Sequence, residues 1–167
     1  MQTKTELRLV GITESLAQFR ERLINRLIEA FPGYTIDCLL CTPEDASRFV
    51  QLIRDELDCP GLNGAVILGS LINIRKRKDC PTGLKGSRAR RKRQQELQSA
   101  GCSLHLKEFQ DLACDCLADM YKSRTIDSVL CYPNEAQGLA RYVRRRAGCG
   151  MLDDELILSN IMNVRKG

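Results

Sequence analysis

The chain of 167 residues has no tryptophan, and aromatic residues make up only 5% of it. Hydrophobic residues still account for 43%, so the core must be built from Leu, Ile, Val, Cys and Ala. The N-terminus MQTKTELRLVG has no apolar run of signal-peptide length, and no stretch of the sequence approaches the length that a membrane span needs. These absences predict a soluble, cytoplasmic protein that does not associate with a membrane.

Recognisable catalytic motifs are missing as well. His105 is the only histidine, and there is no glycine-rich phosphate loop, no His-Glu metal motif and no nucleophile elbow. Asp37 and Asp127 recur in similar contexts, but neither has an evident acid or base partner in the sequence. We therefore predict that the protein is not an enzyme, has no catalytic residues and needs no cofactor.

Two stretches of the sequence resemble each other at a distance of ninety residues. TIDCLLCTPEDA begins at Thr35 and TIDSVLCYPNEA begins at Thr125, and the similarity extends outward in both directions without a gap. Such an offset predicts a tandem internal repeat, and two copies favour a pseudo-two-fold pair over a solenoid. The predicted organisation is repeat unit 1 at 1–78, a basic linker or arm at 79–101 and repeat unit 2 at 102–167.

Each unit is predicted to contain a helix, a strand and two further helices. Apolar residues at helical spacing indicate the first helix, TIDCLLC and TIDSVLC have the composition of short strands, and Pro43 and Pro133 begin the next helix. The interval 64–74 fits a strand or a buried helix. The equivalent stretch in the second unit, MLDDELILSNIMNVRKG, has acidic residues near its start and Arg165 and Lys166 at its end, which favours a helix.

The predicted fold class is therefore mostly α (α+β), with tandem pseudo-symmetric repeats sharing one core and a short two-stranded ribbon or small sheet. The core is expected to contain equivalent apolar residues from both units: Leu16, Phe19, Leu27, Val50, Ile53, Ile67 and Leu71, with Leu106, Phe109, Leu117, Ala140, Val143, Ile157 and Ile161.

The order of strand, proline-started helix, turn and second helix resembles one half of the ribbon-helix-helix family. The resemblance implies that the strands 35–41 and 125–131 pair as an antiparallel ribbon. It does not extend to function, because the ribbon face that reads DNA in that family would carry Asp37 and Asp127 here, and these would repel phosphate.

Nine cysteines are present. An odd number without a signal sequence argues against a disulfide framework. Cys38 and Cys41 have the spacing of two zinc ligands, but no second such pair exists, so a zinc site is the weaker alternative. We expect metal-free, reduced thiols that act as small core residues, including the equivalent pairs Cys41 with Cys131 and Cys59 with Cys149.

Positive charge is concentrated in one segment. Residues 75–93 hold ten of the 26 Lys and Arg and one of the 21 acidic residues, so this segment carries +9 and the remainder −4. A run of this kind predicts binding to phosphates, and the alternative is a solvated linker without a specific partner. The hypothesis of phosphate binding extends to two further sets of basic residues. One is a group of arginines on one helix face around 141–146, and the other is the pair of matching basic ends at 75–76 and 165–166. The alternative for the group around 141–146 is a solvated helix face without a partner. The alternative for the two ends is that their charge only complements the helix dipole.

These observations predict a non-enzymatic nucleic-acid-binding protein, most consistent with duplex DNA and with a role as a regulator. Aromatic residues are absent from the basic run, which disfavours stacking on single strands. The alternative is a protein interaction or scaffold module in which the basic segment is only a linker. The candidate nucleic-acid-binding residues are Arg75, Lys76, Arg77, Lys78, Lys85, Arg88, Arg90, Arg91, Lys92, Arg93, Arg141, Arg144, Arg145, Arg165 and Lys166.

Overall fold

The structure, a computed structural model, describes residues 3–85 and 93–166, the last two without their side chains. The described chain consists of helices joined by short turns. In chain order the α-helices are α1 Thr3–Leu9, α2 Leu16–Ala30, α3 Ile36–Leu40, α4 Pro43–Glu56, α5 Gly64–Lys76, α6 Arg93–Ser99, α7 Leu106–Met120, α8 Ile126–Leu130, α9 Pro133–Ala147 and α10 Asp154–Lys166.

The predicted α+β class with a ribbon is wrong, because the described residues contain no strand. The two stretches assigned as strands form the short helices α3 and α8. Thr35 and Thr125 are their N-caps, and each threonine Oγ1 accepts a hydrogen bond from the amide three residues later, Cys38 N at 3.1 Å and Ser128 N at 3.3 Å. The threonine that suggested a strand therefore begins a helix, and the ribbon implied by the ribbon-helix-helix resemblance is absent.

The longer helices follow local sequence signals. At α2, Ser15 Oγ accepts from the amide of Gln18, whose side chain accepts from the amide of Ser15, which completes a capping box. Proline opens α4 and α9, where its missing N–H costs no hydrogen bond. The interval 64–74 is helical, as its copy indicated.

The helix bounds recur at a ninety-residue offset in the five pairs from α1 with α6 to α5 with α10, except that α9 ends one residue later than the offset from α4 gives. Contacts between the halves are reciprocal: α3 packs against α10, α8 packs against α5, and α4 packs against its counterpart α9. Reciprocal contacts of this kind are typical of a two-fold interface. Descent of the two halves from one duplicated unit stays a prediction.

One continuous apolar core connects the halves. Most of the residues predicted to be buried are buried, with Phe19, Leu27 and Phe109 fully shielded. Leu16, Leu106 and Leu117 differ, because they are only half-buried at the edge of the core. Burial of large side chains from both halves in one cluster supplies the main stabilising contribution.

The segment predicted to be a linker is partly structured. Cys80 and Leu84 are buried against the core, the latter within a 3-10 turn at Thr82–Leu84, and α6 lies within the interval 79–101. The described part of the arm is therefore anchored to the body. Residues 86–92 of the arm lie outside the described part of the chain.

Equivalent turns after α4 and α9 use different residues. Gly148 adopts φ +65° and Asp58 adopts φ +48°, the left-handed region that favours glycine. Glycine at position 148 therefore adopts the turn in the second half without strain, whereas the backbone of Asp58 is strained in the equivalent turn of the first half.

Candidate nucleic-acid interface

The predicted cationic residues fall into two groups, those engaged in the fold and those exposed on the surface. Arg75 and Arg144 belong to the first group. Lys78, Lys85, Arg141 and Arg145 belong to the second.

Arg75, from the last turn of α5, lies in an ionic cluster at the contact between the halves, in which all members but Lys76 are largely buried. Its Nη1 is 2.7 Å from Oδ1 of Asp37 in α3, and its Nη2 is 3.2 Å from Oδ1 of Asp127 in α8. Lys76 Nζ is 3.0 Å from the second oxygen of Asp127. We call these four residues the ionic clasp. The side chain of Arg75 is only 10% exposed, so it supports the fold and does not present its charge to a partner.

The electrostatics of the clasp favour the charged forms. Burial alone would raise the pKa of Asp127, but the hydrogen bond from Lys76 and the charge of Arg75 outweigh it, so the pKa lies below its usual value. Burial likewise opposes the charge on Arg75, yet the hydrogen bond and charge of Asp37 and the charge of Asp127 raise the pKa of the guanidinium. Asp37 and Asp127, noted earlier as recurring acids, are therefore ion-pair partners of α5.

Arg144 has a structural role that its counterpart Arg54 shares. Arg144 Nε donates to the carbonyl of Leu152 at 2.5 Å, and Arg54 Nε donates to the carbonyl of Leu62 at 2.8 Å. Arg144 also forms an ion pair with Asp154 at the start of α10. Each arginine thus fixes the turn that follows its helix, which explains why the same residue type occurs in both halves.

The described cations of the connector lie on the surface. The ammonium group of the exposed Lys85 donates to the backbone carbonyl of Lys78, which is also exposed, at 3.5 Å. Within the described residues, no carboxylate forms an ion pair with either lysine. Arg77 is also exposed, but it is paired with Asp79 at 2.8 Å. Arg93 is half-buried at the start of α6.

The remaining predicted residues cannot be assigned to a surface. Arg88, Arg90, Arg91 and Lys92 lie outside the described residues, and the side chains of Arg165 and Lys166 are not described.

The outer face of α9 combines the exposed arginines with two polar residues that the sequence prediction missed. Asn134, Gln137, Arg141 and Arg145 are spaced by three, four and four residues, and all four are exposed. This spacing places them on one side of the helix, opposite the buried Ala136, Leu139, Ala140 and Val143. We call these four residues the α9 stripe. The signal was present in the sequence, since Asn134 and Gln137 continue the helical spacing of the arginines toward the N-terminus.

The thiols nearest the clasp are poor nucleophiles. Burial, followed by the charge of Asp37, raises the pKa of Cys41 well above its usual value. Burial, followed by the charge of Asp127, raises the pKa of Cys131 to about 11. Both thiols are therefore protonated near neutral pH. In the part of the chain that the structure describes, all nine cysteines are free, and no group of three or more His, Cys, Asp and Glu is arranged to hold a metal ion.

An open groove of about 430 Å³ separates the start of α9 from α4 and the start of α5. Its polar lining includes Ser47, Arg54, Asn63 and Asn134. Arg54 already binds the Leu62 carbonyl, and Glu135, which also lines the groove, is paired with Arg124.

Comparisons of the chain with protein-family models, with curated proteins and with solved structures find no match. None of the helices in residues 3–85 and 93–166 is long and apolar enough to cross a membrane.

Proposed function

We propose that this protein is a non-enzymatic nucleic-acid-binding protein that contacts the phosphates of duplex DNA through its basic connector and the exposed arginines of α9. The observation that carries the proposal is the separation of charge, with +9 in residues 75–93 against −4 in the rest of the chain. A concentration of positive charge along the chain attracts polyanions and displaces their counterions.

The fold narrows the set of residues that take part. Arg75 and Arg144 are excluded because they are engaged in the clasp and in the turn after α9. Lys78, Lys85, Arg141 and Arg145 support the proposal because they are exposed and no carboxylate in the described residues pairs with them. Unpaired cations retain their full charge for phosphate, whereas a paired cation must first be separated from its carboxylate.

The test measures binding of a labelled DNA duplex by fluorescence anisotropy across a series of salt concentrations, with an RNA duplex as comparison. One variant replaces Arg88, Arg90, Arg91, Lys92 and Arg93 with Gln. If all five contact phosphates, the slope of log affinity against log salt becomes shallower by about 4.5.

A matched control removes the same charge elsewhere. Lys4, Arg8, Arg48, Lys107 and Lys122 are all exposed and lie outside the connector, so changing these five to Gln gives an equal net charge. The control is expected to keep most of the wild-type slope. Equal slopes for the two variants would mean that only net charge matters, and wild-type protein that does not bind duplex DNA at low salt would overturn the proposal. Salt-insensitive binding of a protein partner would favour the scaffold alternative.

A further inference from the structure

We propose that the α9 stripe reads base edges in the major groove of DNA, so that binding is sequence-specific. This inference rests on the proposed function but goes beyond phosphate contact. It assigns recognition to Asn134, Gln137 and Arg141, with Arg145 at the C-terminal end of the same face.

The chemistry of the stripe matches that of direct readout. Asn and Gln form paired hydrogen bonds with adenine, and Arg forms them with guanine, in the major groove. In the described part of the chain, none of the four side chains forms an ion pair or a hydrogen bond, so their donors and acceptors are free. The neighbouring Arg146, in contrast, is hydrogen-bonded to Tyr142 and paired with Asp119.

The stripe also has suitable dimensions and surroundings. From Asn134 to Arg145 it extends about 16 Å along the helix, and the major groove, about 12 Å wide, admits an α-helix. Three carboxylates on or beside α9 are engaged in ion pairs: Glu135 with Arg124, Asp154 with Arg144 and Asp119 with Arg146. These pairs reduce the repulsion that phosphate would meet near the stripe.

The other half of the molecule contains a natural comparison. The equivalent positions on α4 are Glu44, Ser47, Gln51 and Asp55, all exposed, which carry two negative charges where the α9 stripe carries two positive ones. The amide of Gln51 is also engaged, since it donates to Asp55 at 2.7 Å. The same place in the fold thus tolerates opposite charge, so packing does not require the residues of the α9 stripe.

Duplex DNA is the favoured partner of this face because the major groove of A-form RNA is too deep and narrow for side chains to read. The experiment selects bound sequences from a pool of random DNA duplexes and then measures affinity for the selected and for a scrambled sequence. Wild-type protein is expected to enrich a short motif containing adenine and guanine positions.

The test variant is Asn134→Ala with Gln137→Ala. Because neither residue is charged, we expect the salt slope to stay unchanged while discrimination between the selected and scrambled sequences falls by about tenfold or more. The matched control is Asn25→Ala with Gln51→Ala, which removes one exposed Asn from α2 and one exposed Gln from α4 without changing the charge and is expected to keep the discrimination. Thermal unfolding of both variants verifies that the fold is intact.

The possible failures are distinguishable. Absence of duplex binding by the wild type would overturn both this inference and the proposed function. Salt-dependent binding without an enriched motif, or a motif that the α9 variant reads as well as the wild type, would overturn only the assignment of the stripe. An equal loss of affinity for selected and scrambled DNA would show phosphate contact and would likewise reject base reading, as would preference for an RNA duplex.

Discussion

Replacing Arg75 with Met tests the ionic clasp, because it removes the guanidinium that bridges Asp37 and Asp127 while keeping an unbranched side chain. The side chains of Asp37 and Asp127 are 9% and 15% exposed, so water only partly replaces the lost partner. Breaking a buried ion pair on one side costs about 3–5 kcal/mol. For a chain of this size we expect the melting temperature to fall by about 6–20 °C.

The control is Arg77→Met, two residues further along the same segment. Arg77 is also paired with an aspartate, but both partners are exposed, with 46% and 69% of their side chains accessible. Since exposed ion pairs contribute little, this variant is expected to unfold close to the wild type. Chemical denaturation followed by circular dichroism measures the free energy of unfolding of both variants.

The pH dependence provides a second readout. The pKa of Asp127 is lowered in the folded state, so its contribution to stability is present above the unfolded carboxyl pKa and is lost as pH falls through the lower folded value. In Arg75→Met, Asp127 keeps the hydrogen bond from Lys76 but loses the charge of the guanidinium, so its pKa is lowered less. Less stability is then lost on acidification, and the difference in stability between the variant and the wild type should shrink as the medium becomes acidic. Adding Asp37→Asn and Asp127→Asn to Arg75→Met should recover much of the loss. If Arg75→Met is no more destabilising than Arg77→Met at neutral pH, the reasoning about the clasp is wrong.

Three further predictions concern local structure. Gly148→Asp should lower the free energy of unfolding by about 1–2 kcal/mol and Asp58→Gly should raise it, as measured by denaturant titration; effects of the same sign would contradict the argument from φ. Thr35→Ala and Thr125→Ala should each cost about 1 kcal/mol through loss of an N-cap, whereas Thr→Ser at the same positions should be nearly neutral; strands at these positions would instead favour Thr over Ser. Cys41, which has no exposed surface, should resist iodoacetamide in the native protein and react only after unfolding, as followed by mass spectrometry; rapid native labelling would show that its surroundings open readily.

The sequence predicted the long helices well because their apolar residues repeat over several turns. Phe19, Leu23 and Leu27, for example, define one face of α2 and are all fully buried. The prediction failed for the short segments at 36–40 and 126–130, because five residues span little more than one helical turn and show no clear periodicity. The β-branched Thr and Ile at their start are also compatible with either a helix or a strand. Here the N-cap bonds of Thr35 and Thr125 and the surrounding packing decide in favour of a helix.

The candidate site was only partly predictable for a different reason. Arg75 finds its partners 38 and 52 residues away in the chain, a proximity that composition and spacing do not reveal. The sequence did contain one indication that these residues have structural roles, because Asp37 recurs as Asp127 and Arg54 recurs as Arg144. Residue types kept at equivalent positions serve the shared fold, whereas the α9 stripe, which differs from its counterpart on α4, is free for a function of its own.

The reciprocal packing of the halves has a consequence for biosynthesis. When α5 leaves the ribosome, its contact partner α8 lies roughly fifty residues further along the chain and is still to be made. At typical elongation rates this leaves a delay of about 3 to 10 s. During that interval the apolar surface of the first half faces solvent, and Arg75 has not yet met Asp127. The nascent chain therefore passes through a state in which half of the protein is a candidate substrate for chaperones.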